Sequence, residues 1–192
     1  MTFDEFKNEL DKNDIYSIVR KYILSGNSTC FAGDPQKLLM LKEAVSAELK
    51  LNIKCVETVG SAKLGFSLNP FKLGDVFNNK SDIDLLIVSN EFFDQAWKEL
   101  LKIDFNYHQL SKKERDYLKE SYQTVHRGYI SPDKFPLKSE FARTWWKIFT
   151  DLSNKEEYEF RKIRGRLFKD WDFAEKYYSI QLVELLKVKH EN

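Results

Sequence analysis

The chain has 192 residues, of which 42% are hydrophobic, 15% aromatic and 32% charged, and its net charge is +1 at neutral pH. That length supports one domain with a sizeable core. The composition excludes a disordered chain, and the near-zero net charge excludes a broad electrostatic attraction to nucleic acid or membrane.

Thr2 to Glu5 reads as a capping box opening a short helix to about Leu10. A second helix is expected from Asn13-Asp14 to Leu24, with Ile15, Ile18, Val19, Tyr22 and Ile23 on its apolar face. SGNS breaks it. Asp34-Pro35 then caps and starts a strong helix, QKLLMLKEAVSAELKL. Ile53 to Val59 is rich in β-branched residues and predicts a strand. Gly60-Ser61 ends it and opens a helical turn, SAKLGF, and Ser67 to Lys80 reads as a loop. DIDLLIVS is the plainest strand of the chain, followed by a helix over EFFDQAWKELL capped by Ser89 or Asn90. Ser111 to Glu114 is another capping box, opening a helix to about His126. GYISPDKFP reads as a connector, SEFARTWWKIFTDL as a helix, Glu157 to Phe168 as a strand, and DFAEKYYSIQLVELLKV as the closing helix. The order predicts an α/β (α+β) fold: a small mixed β-sheet with flanking helices. We expect a single domain over 1–192, with N-terminal helices over 1–50 and a helical C-terminal part from about 105.

The first residues, MTFDEFKNELDKND, are acidic and polar where a secretion signal is basic and then apolar. No run approaches the ~20 apolar residues of a membrane span. A cytoplasmic protein with no membrane association is therefore expected. Cys30 and Cys55 have neither a metal-ligand spacing nor a disulfide framework and read as buried free thiols.

The chemistry concentrates around two strand ends. Side chains alternate along a strand, so Asp82 and Asp84 point the same way, while Ile83, Leu85 and Ile87 point into a core on the other face. Only that other face is expected to be core. Two carboxylates this close repel, and both stay ionised only with something positive between them. A hard divalent cation, Mg²⁺ or Mn²⁺, is the common solution. At the end of the preceding strand, Gly60 lets a phosphate approach the backbone and Ser61 adds a hydroxyl donor. An anion cradle beside a metal pair suits a nucleoside triphosphate with its metal.

Gly60-Ser61-Ala62-Lys63-Leu64-Gly65 followed by Ser81-Asp82-Ile83-Asp84-Leu85-Leu86 resembles the signature of the DNA polymerase β-like nucleotidyltransferase superfamily. The resemblance spans Ile53 to Leu101, about a quarter of the chain. It implies a mixed sheet of the nucleotidyltransferase type and Mg²⁺-dependent transfer of NMP from an NTP to a hydroxyl of an RNA, a protein or a small molecule. It also implies that Gly60 and Ser61 contact the triphosphate and that Asp82 and Asp84 ligate metal and catalyse. Lys63, two residues after Ser61, is a candidate phosphate contact or a solvated helix residue. The chain's size is similar to that of minimal members found in bacterial toxin–antitoxin and phage-defence operons. That context implies a partner protein from the same operon.

Two departures bear on activity. The Asp-x-Asp follows Gly-Ser at nearly twice the usual spacing, so LNPFKLGDVFNNK is an inserted loop, a lid or an acceptor contact. Active members also carry a third carboxylate on a later strand. Glu159 and Asp104 are the candidates, and neither has the apolar flanks the family shows. The alternative is an inactive domain of the same fold that binds a nucleotide or a protein as a regulatory module. An acid beside Asp82 and Asp84 favours the enzyme, and an apolar or basic residue there favours the module.

RKIRGRLFK places Lys162, Arg164 and Arg166 on one strand face. They read either as a triphosphate clamp or RNA-backbone contact, or as a solvated edge. Trp145-Trp146 and Tyr177-Tyr178 read as core. His108, His126 and His190 lack the spacing of a zinc site or a base–nucleophile pair.

Overall fold

A computed structural model describes residues 1–136 and 139–190. The first helix, α1 (Phe3–Lys12), starts at Thr2 with both hydrogen bonds of the expected capping box, from Glu5 N to the Thr2 hydroxyl and from Thr2 N to the Glu5 carboxylate. The second expected helix is two pieces, α2 (Ile15–Ile18) and a π-helical turn over Val19–Leu24. α3 (Pro35–Leu49) starts on the Asp34 cap with proline at its first turn, as expected.

The strand expected over Ile53 to Val59 is shorter, because Ile53–Cys55 form a 3₁₀ turn and only Val56–Val59 pair as β1. α4 (Ser61–Leu64) follows at once, and then the loop and β2 (Ile83–Val88). α5 (Asn90–Asp104) and α6 (Lys112–Val125) come next, with the Ser111–Glu114 capping box formed.

A two-residue edge strand, β3 (Tyr129–Ile130), lies inside the stretch read as a connector. It is too short for periodicity to reveal. After α7 (Glu140–Ser153), the strand expected from Glu157 starts late, at Ile163, as β4 (Ile163–Phe168). Glu156–Tyr158 form a 3₁₀ turn, and Glu159 and Phe160 adopt left-handed backbone, φ 60° and 53°, which breaks the strand. α8 (Trp171–His190) closes the chain.

The sheet is mixed, in the order β1-β2-β4-β3. β1 is antiparallel to β2, β2 is parallel to β4, and β3 is antiparallel to β4. The expected α/β (α+β) class holds: a small mixed sheet with helices on both faces.

One face buries Ile83, Leu85 and Ile87 with Val56, Ile163 and Leu167 against residues of α3, α5 and α7, among them Val45, Phe93 and Trp145. Gly165 belongs to this packing. A Cβ there would meet Phe149 Cζ at 2.4 Å and Trp145 Cζ2 at 2.8 Å, so only glycine lets α7 lie this close to β4.

The other face is not the open side expected of β2. Leu86 and Val88 are buried there with Val59 and Phe168, under Phe6 of α1, Ile23 of the π-turn and Tyr178 and Leu182 of α8. Helices cover both faces of a strand that has a parallel neighbour, as is usual for such strands. The cover gives out at the N-terminal end of β2, where Asp82 and Asp84 lie. Among the described residues, no helix is long and apolar enough to cross a membrane.

Candidate functional site

Gly60, Ser61, Asp82 and Asp84 come together. All four line one cleft of about 850 Å³ between the end of β1, the starts of β2 and β4, and α8. Register explains the convergence. Asp84 is the second residue of β2, and it lies opposite Val59 on β1 and Arg164 on β4. Gly60 follows Val59 with φ 64° and ψ −146°, a conformation that L side chains rarely adopt. A Cβ at Gly60 would sit 3.4 Å from Asp84 Oδ2, so the glycine backbone runs against that carboxylate. The helical turn after it is a single turn, Ser61–Leu64, and so contributes little of the macrodipole expected behind the anion cradle.

The positive partner that the two carboxylates require is a side chain. Arg164 Nη2 donates to Asp82 Oδ2 at 2.7 Å, with both side chains partly exposed. Arg166, two residues on, faces the same side. Its guanidinium donates to the Tyr177 hydroxyl and lies over the Tyr177 and Tyr129 rings, 4.9 and 5.7 Å from their centroids. Burial pushes the Asp84 carboxyl above its ordinary value, while Arg164 and Arg166 pull it back down and Asp82 adds to the rise. No hydrogen bond or ion pair reaches the Asp84 carboxylate among the described residues. Burial likewise raises the Tyr177 and Tyr178 hydroxyls, so both stay protonated donors.

Neither candidate for a third carboxylate lines this cleft. Glu159 sits at a left-handed turn and pairs with Arg161 at 2.9 Å and Lys37 at 3.9 Å. Asp104 is the last residue of α5, beside Tyr122 of α6. The neighbour of Asp84 on the adjacent parallel strand is Arg164, and the residues two before and two after it, sharing its face, are Lys162 and Arg166. That face of β4 and its lead-in is basic from Lys162 to Arg166 and turns apolar at Phe168.

The donors offered to Mg²⁺ or Mn²⁺ are few. Among the described residues no group of three or more His, Cys, Asp or Glu side chains converges as a metal site, which leaves the two carboxylates of Asp82 and Asp84. At an effective dielectric near 20, a divalent ion about 4 Å from a guanidinium is repelled by about 8 kcal/mol, and each carboxylate at that distance attracts it by about as much. A cation at Asp82 shares that carboxylate with Arg164, which holds Oδ2.

Lys63 is not turned to the cleft. It is buried at 2% exposure, donates to the Gly26 carbonyl at 2.7 Å and lies 3.5 Å from Glu57, which also pairs with Lys42 at 2.6 Å. Burial lowers its pKa, with Glu57 opposing. Of the two aromatic pairs, Trp145 and Tyr178 are core, Trp146 is exposed and Tyr177 lines the cleft on Arg166. Cys30 is buried, with its thiol pushed up to about 11 by desolvation, and Cys55 is half-buried.

The inserted loop is ordered by its own backbone. Phe66 bridges Val76, Ser67 N donates to Asp75 O, and Phe77 N donates to Gly65 O. Asn69, Pro70, Lys72 and Asp75 of this loop line the cleft, and Arg161 Nη1 holds its far end at the Asn78 carbonyl, 2.7 Å away. Tyr177, expected in the core, is a cleft residue, and Arg164 and Arg166, expected to share a strand face, lie beside Asp82 and Asp84, a placement that the sequence does not show. The available signal was an Arg-x-Arg strand aligned with an Asp-x-Asp strand, which needs the parallel pairing to be known.

No family model matches the chain, and neither a curated protein nor a solved structure matches it.

Proposed function

We propose that this chain is a nucleotidyltransferase-like domain that binds a nucleoside triphosphate in the β1–β2–β4 cleft and performs no nucleotidyl transfer of its own. One observation carries the reading: Arg164 stands opposite Asp84 and pairs with Asp82, where a transferase needs an acid and a metal. Gly60 and Ser61 offer backbone and hydroxyl donors to phosphate. Arg164 and Arg166 supply the cationic side chains. Tyr177, Leu182 and Leu185 line the cleft on its apolar side and offer a surface to the base. A module of this kind acts through a partner protein, sought first among products of the same operon.

A second reading keeps the enzyme, with NMP moved to a hydroxyl of RNA, protein or a small molecule. It is favoured by the meeting of Gly60, Ser61, Asp82 and Asp84 in one cleft. The test combines equilibrium dialysis with a transfer assay. Each labelled NTP is supplied with Mg²⁺ or Mn²⁺, and total RNA and cell protein serve as acceptors. The expected result is retained nucleotide and no transferred label. Label transfer that Asp82→Ala/Asp84→Ala abolishes establishes the second reading, and nucleotide that is not retained at all overturns both.

A further inference from the structure

We propose that the guanidinium of Arg164 takes the place of the divalent ion, so that the cleft binds the triphosphate of its nucleotide directly and without metal. This rests on the nucleotide-binding reading above and deepens it.

Three observations carry the inference. First, the pairing with Asp82 uses only part of the Arg164 fork. Nη2 is bonded at 2.7 Å, Nε has no hydrogen-bond partner, and the side chain is 40% exposed in the cleft. A guanidinium carries five N–H donors in a planar fork, so it can hold a carboxylate on one edge and a phosphate on the other. A divalent ion bridges carboxylate and phosphate in the same way. Nε is itself buried, so a phosphate oxygen would be taken by the terminal nitrogens of the fork, where the side chain is open to the cleft.

Second, Arg166 is set in place beforehand. The Tyr177 hydroxyl and the Tyr129 and Tyr177 rings fix its orientation beside Asp84. A preset cation loses little freedom on binding.

Third, the carboxylates of the cleft are already balanced by side-chain cations. Arg164 and Arg166 offset Asp82 and Asp84, and Lys72 and Lys80 offset Asp75 and Glu184. No ion is needed to neutralise the aspartates, and an added divalent ion would compete with Arg164 for Asp82.

The test is calorimetric titration of the full chain with ATP, GTP, CTP, UTP and inorganic triphosphate, each with excess EDTA and again with MgCl₂. At least one nucleotide is expected to bind in EDTA within about threefold of its affinity in MgCl₂. Inorganic triphosphate should bind under the same conditions if the phosphates carry the recognition, and its failure while a nucleotide binds in EDTA overturns the assignment of Arg164 to phosphate. Arg164→Met is expected to weaken binding at least about tenfold, the loss of one charge-assisted contact. Asp82→Asn removes a competing acceptor and should tighten binding up to about fivefold. Arg164→Lys, which keeps the charge and loses the fork, serves if Arg164→Met does not fold. Binding that appears only with MgCl₂ and is lost in Asp82→Asn overturns the inference and leaves the nucleotide-binding reading standing. Binding in neither condition overturns both.

Discussion

Arg164 and Asp82 share a 2.7 Å ion pair across the junction of two parallel strands, one step along from where Asp84 lies opposite Arg164 in register. The pair answers the electrostatic problem posed by two aspartates on one strand face. It also sets what perturbation of the site should do.

Both members of the pair are partly exposed, 35% and 40%, so water screens their attraction. A double-mutant cycle of Asp82→Asn and Arg164→Met is expected to give a coupling of no more than about 1 kcal/mol in denaturant unfolding. A coupling of 3 kcal/mol or more, the range of about 3–5 kcal/mol seen when a buried pair is broken, would show the pair to be a buried strut of the fold and not a surface contact free to engage a ligand.

Gly60 tests the turn that brings the two motifs together. Its backbone, φ 64° and ψ −146°, is costly for any residue with a Cβ, and Gly60→Ala is expected to destabilise the fold by about 1–3 kcal/mol. The added methyl would lie 3.4 Å from Asp84 Oδ2, an ordinary contact, so the cost is one of backbone and not of collision. Gly165→Ala makes the contrast. Its φ is unremarkable, and its Cβ would fall 2.4 Å from Phe149 Cζ, so about 1–3 kcal/mol or more comes from overpacking. Thermal melts of the two variants should both fall. A Phe149→Leu second change should rescue Gly165→Ala only in part, because Ile87 Cδ1 and Trp145 Cζ2 still lie 2.8 Å from the added Cβ, and should give Gly60→Ala no rescue.

How much of this was legible beforehand follows from which forces act locally. The capping boxes at Thr2 and Ser111 and the Asp34-Pro35 start were readable because they are contacts within one turn. The proximity of Gly60 to Asp84 was readable because consecutive strands tend to pair. The role of Arg164 was not, because it depends on β4 inserting beside β2 in parallel from eighty residues away. The basic face of β4 was visible, yet its partner was not. The burial of Leu86 and Val88 likewise depends on α1 and α8 folding over that face, which the alternation within β2 alone cannot show. Lys63 went the same way: its spacing from Ser61 suits a phosphate contact, and only the packing of Gly26 and Glu57 around it shows where the ammonium goes.

Lys63 therefore separates architecture from binding. Lys63→Met leaves the Gly26 carbonyl without its donor, while Glu57 keeps Lys42 at 2.6 Å. Gly26 is exposed, so the expected cost is about 0.5–1.5 kcal/mol, that of one ordinary hydrogen bond. Nucleotide affinity of the folded protein should not change. A loss of affinity at unchanged stability would return Lys63 to the phosphate site.

Asp84 gives a pH-dependent outcome whose sign is fixed by its burial. Its carboxyl is raised above the ordinary Asp value of 3.8, mainly by desolvation, with Arg164 and Arg166 only partly offsetting this. Between 3.8 and the raised value the folded state holds more protons than the unfolded one, so this group's contribution to stability falls as pH rises through that window. Above the raised value a constant penalty remains. Asp84→Asn cannot ionise and keeps the shape. It is expected to melt higher than the wild type at pH 7, and the advantage should shrink as pH falls and vanish below about 3.8. Melting both proteins from pH 3 to pH 8 checks this. If Asp84→Asn is instead less stable at pH 7, the two guanidinia outweigh desolvation, and the Asp84 carboxylate is a stabilising member of the cluster.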